Sequence, residues 1–217
     1  MKKGIIFDMD GTIWDSAENV ARSWDEKVKE AGFYDKTITE SDIKNVMGKT
    51  MDVIADILFP FAEPGEQRNA LRKACEEYET EYLRHHGGKL YPQVIETLRK
   101  LKDMGYHLYI VSNCQAGYIE TFLEYFKIDM ESENSLIEDI ECYGNNFQSK
   151  GKNIALIVER NKLDKACYVG DIQSDYDSTC EAGIPFIHAA YGFGTINTAV
   201  PAIKQFSDLP EVITECI

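Results

Sequence analysis

Short unbroken apolar runs, separated by stretches of helical period, restrict how this chain can fold more than any other feature. Gly4-Ile5-Ile6-Phe7-Asp8 is the first. Comparable runs return at His107-Leu108-Tyr109-Ile110-Val111, Ala166-Cys167-Tyr168-Val169 and Ile184-Pro185-Phe186-Ile187, with a weaker one at Ile140-Glu141-Cys142-Tyr143. A strand with one wet face alternates apolar and polar residues, whereas a strand apolar throughout is buried on both faces, as in a parallel sheet covered by helices. The intervening segments supply those helices. After Pro92, the residues Val94, Ile95, Leu98, Leu101 and Met104 share one face, and Gly105 stands where a helix would stop. Ile119, Phe122, Leu123 and Phe126 repeat the pattern after Gln115, as do Ile154, Ile157 and Val158 within 151–163. The alternation predicts an α/β fold, a doubly wound parallel sheet.

One interval breaks the alternation. Residues 14–88 contain no convincing strand, only helical stretches at 16–31, 40–47, 51–58 and 66–85. A parallel crossover needs one short helix, so some seventy residues of helix predict an inserted all-α subdomain over 15–88, with 1–14 and 89–217 forming the sheet domain. Asp15-Ser16 offers an N-cap at the entrance and Gly87-Gly88 marks the exit, where it would serve as a hinge. The insertion is expected over the carboxyl ends of the strands, where ligands bind in open α/β sheets.

Charge narrows the partners. With 23 Lys+Arg against 37 Asp+Glu the formal net charge is −14, and no basic stripe exists to release counterions from nucleic acid or an anionic membrane. The 44% hydrophobic and 11% aromatic content excludes a disordered chain. A small anion is still a possible ligand where cations, backbone donors or a metal gather locally. Cys75, Cys114, Cys142, Cys167, Cys180 and Cys216 form no C-x-x-C pair, so buried free thiols in a reducing compartment are expected rather than zinc or disulfides. No run approaches about 18 apolar residues. A soluble, cytoplasmic protein is the expectation, as monomer or homodimer.

The chemistry collects at the ends of the apolar runs. Asp8-Met9-Asp10-Gly11-Thr12 places two carboxylates two residues apart where a buried strand stops. Asp is a poor strand residue and costly to bury alone, so the pair reads as a nucleophile and an acid/base group on a turn that Gly11 permits. The bland alternative is a turn-capping Asp followed by a solvated one. Ser112-Asn113 ends a second run and would alone pass for an N-cap. Gly170-Asp171-Ile172-Gln173-Ser174-Asp175 ends a third, with two carboxylates four residues apart. Crowding them with Asp8 is tolerable only beside a hard divalent cation, and an all-oxygen donor set with a phosphoryl substrate points to Mg²⁺. Lys150 stands at a helix start, against the macrodipole, so local stability does not explain it. Lys152 competes for the same role.

In combination these residues resemble the haloacid dehalogenase superfamily over essentially the whole chain. Its D-x-D-G-T motif is met by Asp8 through Thr12, its strand-end Ser or Thr by Ser112, its lysine by Lys150, and its G-D-x-x-x-D by Gly170 to Asp175. The helical insertion is similar to the small cap of the phosphoglycolate phosphatase-like and β-phosphoglucomutase-like branch, set into a Rossmann-like core. Ala182-Gly183-Ile184-Pro185 and Tyr191-Gly192-Phe193-Gly194 look like the phosphatase side. Two positions depart from the pattern: Gly151 stands where many relatives have proline, and Gln93 where glycine is common.

The resemblance implies a mechanism. Asp8 would attack phosphorus and form an aspartyl-phosphate; Asp10 would protonate the leaving oxygen and then activate water. Mg²⁺ would be held by Asp8, the Asp10 carbonyl and Asp171, with Asp175 behind them or among them. Ser112, Lys150 and the backbone around Met9 and Asn113 would hold the phosphoryl oxygens. Lys49, in Met47-Gly48-Lys49-Thr50, is a candidate grip on a distal anionic end of the substrate, or else a solvated lysine. His85-His86 is not expected to bind metal, and Tyr78 with Tyr82 is expected to pack within the insertion. The expected reaction is hydrolysis of a small phosphomonoester, phosphoglycolate first; a sugar phosphomutase, a pyrophosphatase or nucleotidase, and a silent binding protein are the alternatives.

Overall fold

The computed structural model describes residues 1–130 and 135–217. In chain order it runs β1 (Lys3–Phe7), β2 (Trp14–Asp15), α1 (Ala17–Glu30), α2 (Glu40–Val46), α3 (Met51–Leu58), α4 (Glu66–His86), β3 (Lys89–Leu90), α5 (Val94–Asp103), β4 (His107–Ser112) and α6 (Tyr118–Tyr125). There follow β5 (Asp139–Cys142), α7 (Tyr143–Asn146), α8 (Lys150–Arg160), β6 (Lys165–Gly170), α9 (Gln173–Ala182), β7 (Phe186–Ala189), β8 (Ala202–Ile203) and α10 (Leu209–Cys216). Six strands form a parallel sheet in the order β5-β4-β1-β6-β7-β8. The α/β class and the parallel winding are those the apolar runs predict.

Both faces of this sheet are covered, which is why its central strands carry no polar alternation. Ile5 and Phe7 of β1 join a core that contains Leu98 and Leu101 of α5 and Ile213 of α10. Ile6 points the other way, into a cluster with Ile154 and Ile157 of α8. All three β1 side chains are fully enclosed, each contributing about 1.5–3 kcal/mol. Because β1 is paired on both sides, Phe7 lies opposite Ile110 of β4 and Val169 of β6. The segments that begin at Asp8, Ser112 and Gly170 therefore leave the sheet together, at the carboxyl end where the strand order reverses.

Helices α1 to α4 occupy the interval between β2 and β3. One local expectation needs correction: the interval is bounded by strand. Trp14 pairs with Leu90 and Asp15 with Lys89 in a two-stranded antiparallel ribbon that ties the outgoing chain to the returning one. Two residues on each side are too few to show a period of two in the sequence. Helix α2 opens on a capping box in which Asp42 N donates to Thr39 Oγ1 (3.2 Å) and Thr39 N to Asp42 Oδ2 (2.9 Å). The periodicity of the sequence likewise leaves α7, α9, α10 and the two-residue β8 unmarked.

The two departures from the family pattern have local causes. Gln93 takes φ = 61° at the N-cap of α5, the left-handed region that favours glycine. A Cβ on Gly151 would come within 2.3 Å of the Glu181 carboxylate, which is tied to the Ser149 hydroxyl at 3.0 Å. All six cysteines are free; Cys75, Cys114, Cys142 and Cys167 are buried, whereas Cys216 is half-buried and Cys180 is exposed on α9, contrary to the expectation that all were internal.

Candidate active site

The turn after β1 is built on one carbonyl. Met9 O accepts from the amides of Thr12, Ile13 and Trp14, at 3.1, 2.8 and 3.3 Å, which curls Asp10 back while Asp8 continues the strand, its amide donating to Val169 O (2.9 Å). The two carboxylates are thereby sent to different places. Gly11, at φ = 85°, makes the curl possible, and a Cβ there would meet Asp171 Oδ2 at 2.0 Å. Gly192 closes the other side, where a Cβ would sit 2.3 Å from Asp171 Cβ. Glycines thus give the Asp171 side chain its room.

Asp8, Asp171 and Asp175 converge, each with an oxygen within 4.8 Å of the others, and all three are buried. Lys150 joins them: its Nζ donates to Asp8 Oδ1 (2.8 Å) and Asp175 Oδ1 (2.7 Å). Lys152, two residues on, is exposed. Asp175 Oδ2 accepts from the amides of Asp171 (3.0 Å) and Ile172 (3.3 Å), so both its oxygens are engaged in bracing the loop and the lysine. Asp171 Oδ2 accepts from Phe193 N (2.7 Å), but its Oδ1 is enclosed with no hydrogen-bond partner among the described residues.

Electrostatics follow from this crowding. Burial and the Asp175 charge raise the Asp8 carboxyl well above the carboxylate range, against the pull of Lys150. Burial, with Asp175 and Asp8, raises Asp171 likewise. Burial would depress Lys150, yet Asp175 and Asp8 outweigh it and hold the ammonium charged. When all three are ionised, three carboxylates against one ammonium leave two negative charges to be neutralised, and an orphaned buried oxygen lies among them. The donor set therefore fits a divalent cation with oxygen ligands.

Asp10 lies apart from this cluster. Ser16 Oγ donates to its Oδ1 (2.5 Å), and Tyr118 OH lies 3.0 and 2.9 Å from its two oxygens. Burial pushes Asp10 up to about 6 in spite of these donors. Ser16 stands at the N-cap position of α1 but makes no side-chain cap bond; its hydroxyl serves Asp10 instead. The sequence marks Ser16 only as an N-cap and does not mark Tyr118. A hydroxyl six residues after Asp10 offered a signal; Tyr118, 108 residues away, offered none.

Asp10 opens into a cavity of about 50 Å³ between helices α1–α4 and the segments after β4. Of the sequence candidates, Asp10, Ser112, Asn113 and Lys49 line it, whereas Asp8, Lys150, Asp171 and Asp175 do not. Lys49 is exposed at its edge. Asn113 Nδ2 donates to Gly48 O (2.8 Å), tying the end of β4 to the α2–α3 turn. Met9 is fully buried, and only its backbone is placed to serve the site. His85 pairs with Glu81, His86 stacks on Tyr82 with ring centroids 4.1 Å apart, and Tyr78 bonds Glu26, so none of them reaches the cavity. Among the described residues no helix is long and apolar enough to cross a membrane.

Known proteins share the fold and the sequence pattern of this chain. The sequence profile of the haloacid dehalogenase-like hydrolases matches residues 5–189. A phosphoglycolate phosphatase of Aquifex aeolicus is 27% identical over 96% of this chain and 95% of its own length, and one of Vibrio vulnificus is 27% identical over 88% and 85%. A crystal structure described as a predicted phosphoglycolate phosphatase from Haemophilus somnus superposes with a TM-score of 0.82 at 23% identity, over 98% of each chain. With its motifs set at the carboxyl ends of β1, β4 and β6, the chain belongs to the haloacid dehalogenase-like hydrolases, as an enzyme of their phosphatase type.

Proposed function

We propose that the protein is a Mg²⁺-dependent phosphomonoesterase that works through an aspartyl-phosphate on Asp8. The observation that carries this reading is the separation of Asp8 from Asp10: one carboxylate is fixed by an ammonium beside a cation-ready cluster, the other is held by two hydroxyls and raised to about 6. A nucleophile and a proton-transfer group need such different surroundings.

In this reading Asp8 attacks phosphorus in line while Asp10, protonated, delivers its proton to the leaving oxygen. Asp10, now ionised, takes a proton from the water that hydrolyses the acyl phosphate. Ser16 and Tyr118 keep its carboxyl aimed during both transfers. Ser112, Lys150 and the backbone at Met9 and Asn113 hold the phosphoryl oxygens. Asp8, the Asp10 carbonyl and Asp171 would hold Mg²⁺, and Asp175 acts behind them by positioning Lys150. When bound, the ion supplies charge neutralisation to the transferring phosphoryl group. Helices α1–α4 act as the cap that closes the leaving-group side, consistent with a cavity walled by them.

Phosphoglycolate, the substrate for which the curated relatives are named, is the reference ester. The test is phosphate release with Mg²⁺ from phosphoglycolate, sugar phosphates, nucleotides and pyrophosphate, run beside Asp8→Asn. Release that the substitution lowers by about 10⁴-fold or more supports the reading. Isomerisation of a sugar phosphate without net release would assign a mutase, and no release from any ester would overturn the proposal.

A further inference from the structure

Glu79, on α4, is a buried acid in the cavity wall to which the proposed reaction gives no task. It is 3% exposed, and its two oxygens accept from uncharged donors, Oε2 from Trp24 Nε1 and Oε1 from Gln115 Nε2 (3.0 Å). Much of the remaining wall on the insertion side is apolar, including Val20, Ile43, Val46 and Ile54. The wall contains one cationic side chain among the described residues, Lys49, and that residue is exposed. The leaving-group side of the site thus offers two acids, Asp10 and Glu79, and no buried positive charge.

We infer that this is a charge-selective pocket, which accepts small phosphomonoesters with an uncharged leaving alcohol and turns away those that carry a carboxylate. The inference rests on the phosphatase reading above and adds the substrate class to it. A carboxylate entering the cavity would lose its water among aliphatic side chains and find no buried cation to pair with, since Lys49 lies exposed at the edge. An ammonium group fares little better. Burial holds Glu79 in its neutral form by raising it to about 8, and its oxygens already accept from Trp24 and Gln115. A hydroxyl or a short alkyl group faces neither cost. By this reading the chain selects against the very ester for which its curated relatives are named.

Three esters of equal reach separate the possibilities: phosphoglycolate, 2-hydroxyethyl phosphate and phosphoethanolamine end in a carboxylate, a hydroxyl and an ammonium. With the Mg²⁺-loaded protein at pH 7, kcat/KM for 2-hydroxyethyl phosphate is expected to exceed both others by at least about tenfold. At pH 9, where Glu79 is ionised, kcat/KM for phosphoethanolamine relative to 2-hydroxyethyl phosphate is expected to rise by at least about threefold in the intact protein and to keep its pH 7 value in Glu79→Gln, which keeps the shape and has no proton to lose. A structural role for Glu79 would lower all three rates together in Glu79→Gln and leave the ratios of the intact protein the same at both pH values. Phosphoglycolate or phosphoethanolamine as the fastest substrate of the intact protein at pH 7 would overturn the selection, and ratios in the intact protein that do not move between pH 7 and pH 9 would remove Glu79 from it. Release from none of the three overturns the phosphatase reading itself, so the two failures are distinguishable.

Discussion

The ammonium of Lys150 donates to Asp8 Oδ1 across 2.8 Å from a position 142 residues further along the chain. The same nitrogen reaches Asp175, and all three side chains are shut off from solvent. An ion pair this deep stabilises less by its own attraction than by sparing each partner an unpaired buried charge.

Lys150→Met keeps the length of the side chain and removes the charge. Without it, Asp8, Asp171 and Asp175 face one another with no counter-ion. We expect metal-free protein to lose about 3–5 kcal/mol of stability in urea unfolding. A loss under about 1 kcal/mol would mean that the carboxyls take up protons at no net expense and that the lysine is not what holds the cluster together.

Asp10 is oriented by two hydroxyls, of which Tyr118 touches both carboxyl oxygens. Tyr118→Phe removes that contact without opening a large void. We expect kcat to fall by about tenfold with KM changed less than about twofold, because the loss falls on proton transfer rather than on binding. Ser16→Ala should act in the same direction, and the double variant should cost less than the two combined, since each hydroxyl also bonds the other at 2.8 Å. A fall in kcat/KM that came entirely from KM would place Tyr118 in substrate binding instead.

These two sets of contacts show what was legible in the sequence. Asp8, Lys150, Asp171 and Asp175 could be picked out because each sits next to a strong local signal, the end of an apolar run or the start of a helix. Position relative to such signals is a property of the linear chain. Tyr118 and Glu79 carry no such mark. Tyr118 is one of twelve tyrosines and begins a helix; Glu79 lies in a long helix rich in charge, where the ordinary expectation is a solvated face. Their importance arises only when α4 and α6 pack together and bring Glu79, Gln115 and Tyr118 to one cavity. The ribbon of β2 and β3 was illegible for a related reason: its pairing joins residues more than seventy positions apart through two rungs.

The orphaned Oδ1 of Asp171 gives the metal a signature apart from turnover. Chelation with EDTA should abolish phosphate release and excess Mg²⁺ should restore it. In a thermal melt without substrate, Mg²⁺ at about a hundred times its dissociation constant should add about 2.7 kcal/mol, an upward shift of about 5–10 °C for a chain of this length. Asp171→Asn should melt at the same temperature with and without Mg²⁺. An Mg²⁺ shift that survived this substitution would place the ion elsewhere.

Glu79 also predicts how stability changes with pH. Burial raises its carboxyl from 4.5 to about 8 in the folded protein, with Asp10 adding a smaller push and the Gln115 and Trp24 donors opposing it. Below about pH 4.5 the residue is protonated whether the chain is folded or not, and its contribution is constant. Between that value and about 8 the unfolded chain releases the proton while the folded one retains it, so the folded state binds more protons and stability falls as pH rises. Above about 8 both states are ionised and the full cost of the buried charge is present. Glu79→Gln has no such proton to lose. The difference in unfolding free energy, variant minus intact protein, should therefore climb through the window from about pH 4.5 to 8 and level off beyond it. Urea unfolding of both proteins at half-unit steps of pH, in EDTA to silence the metal cluster, measures that difference directly. A difference that stayed flat across the window would show that Glu79 ionises in the folded protein as it does in water, and the charge selection inferred for the cavity would lose its physical basis.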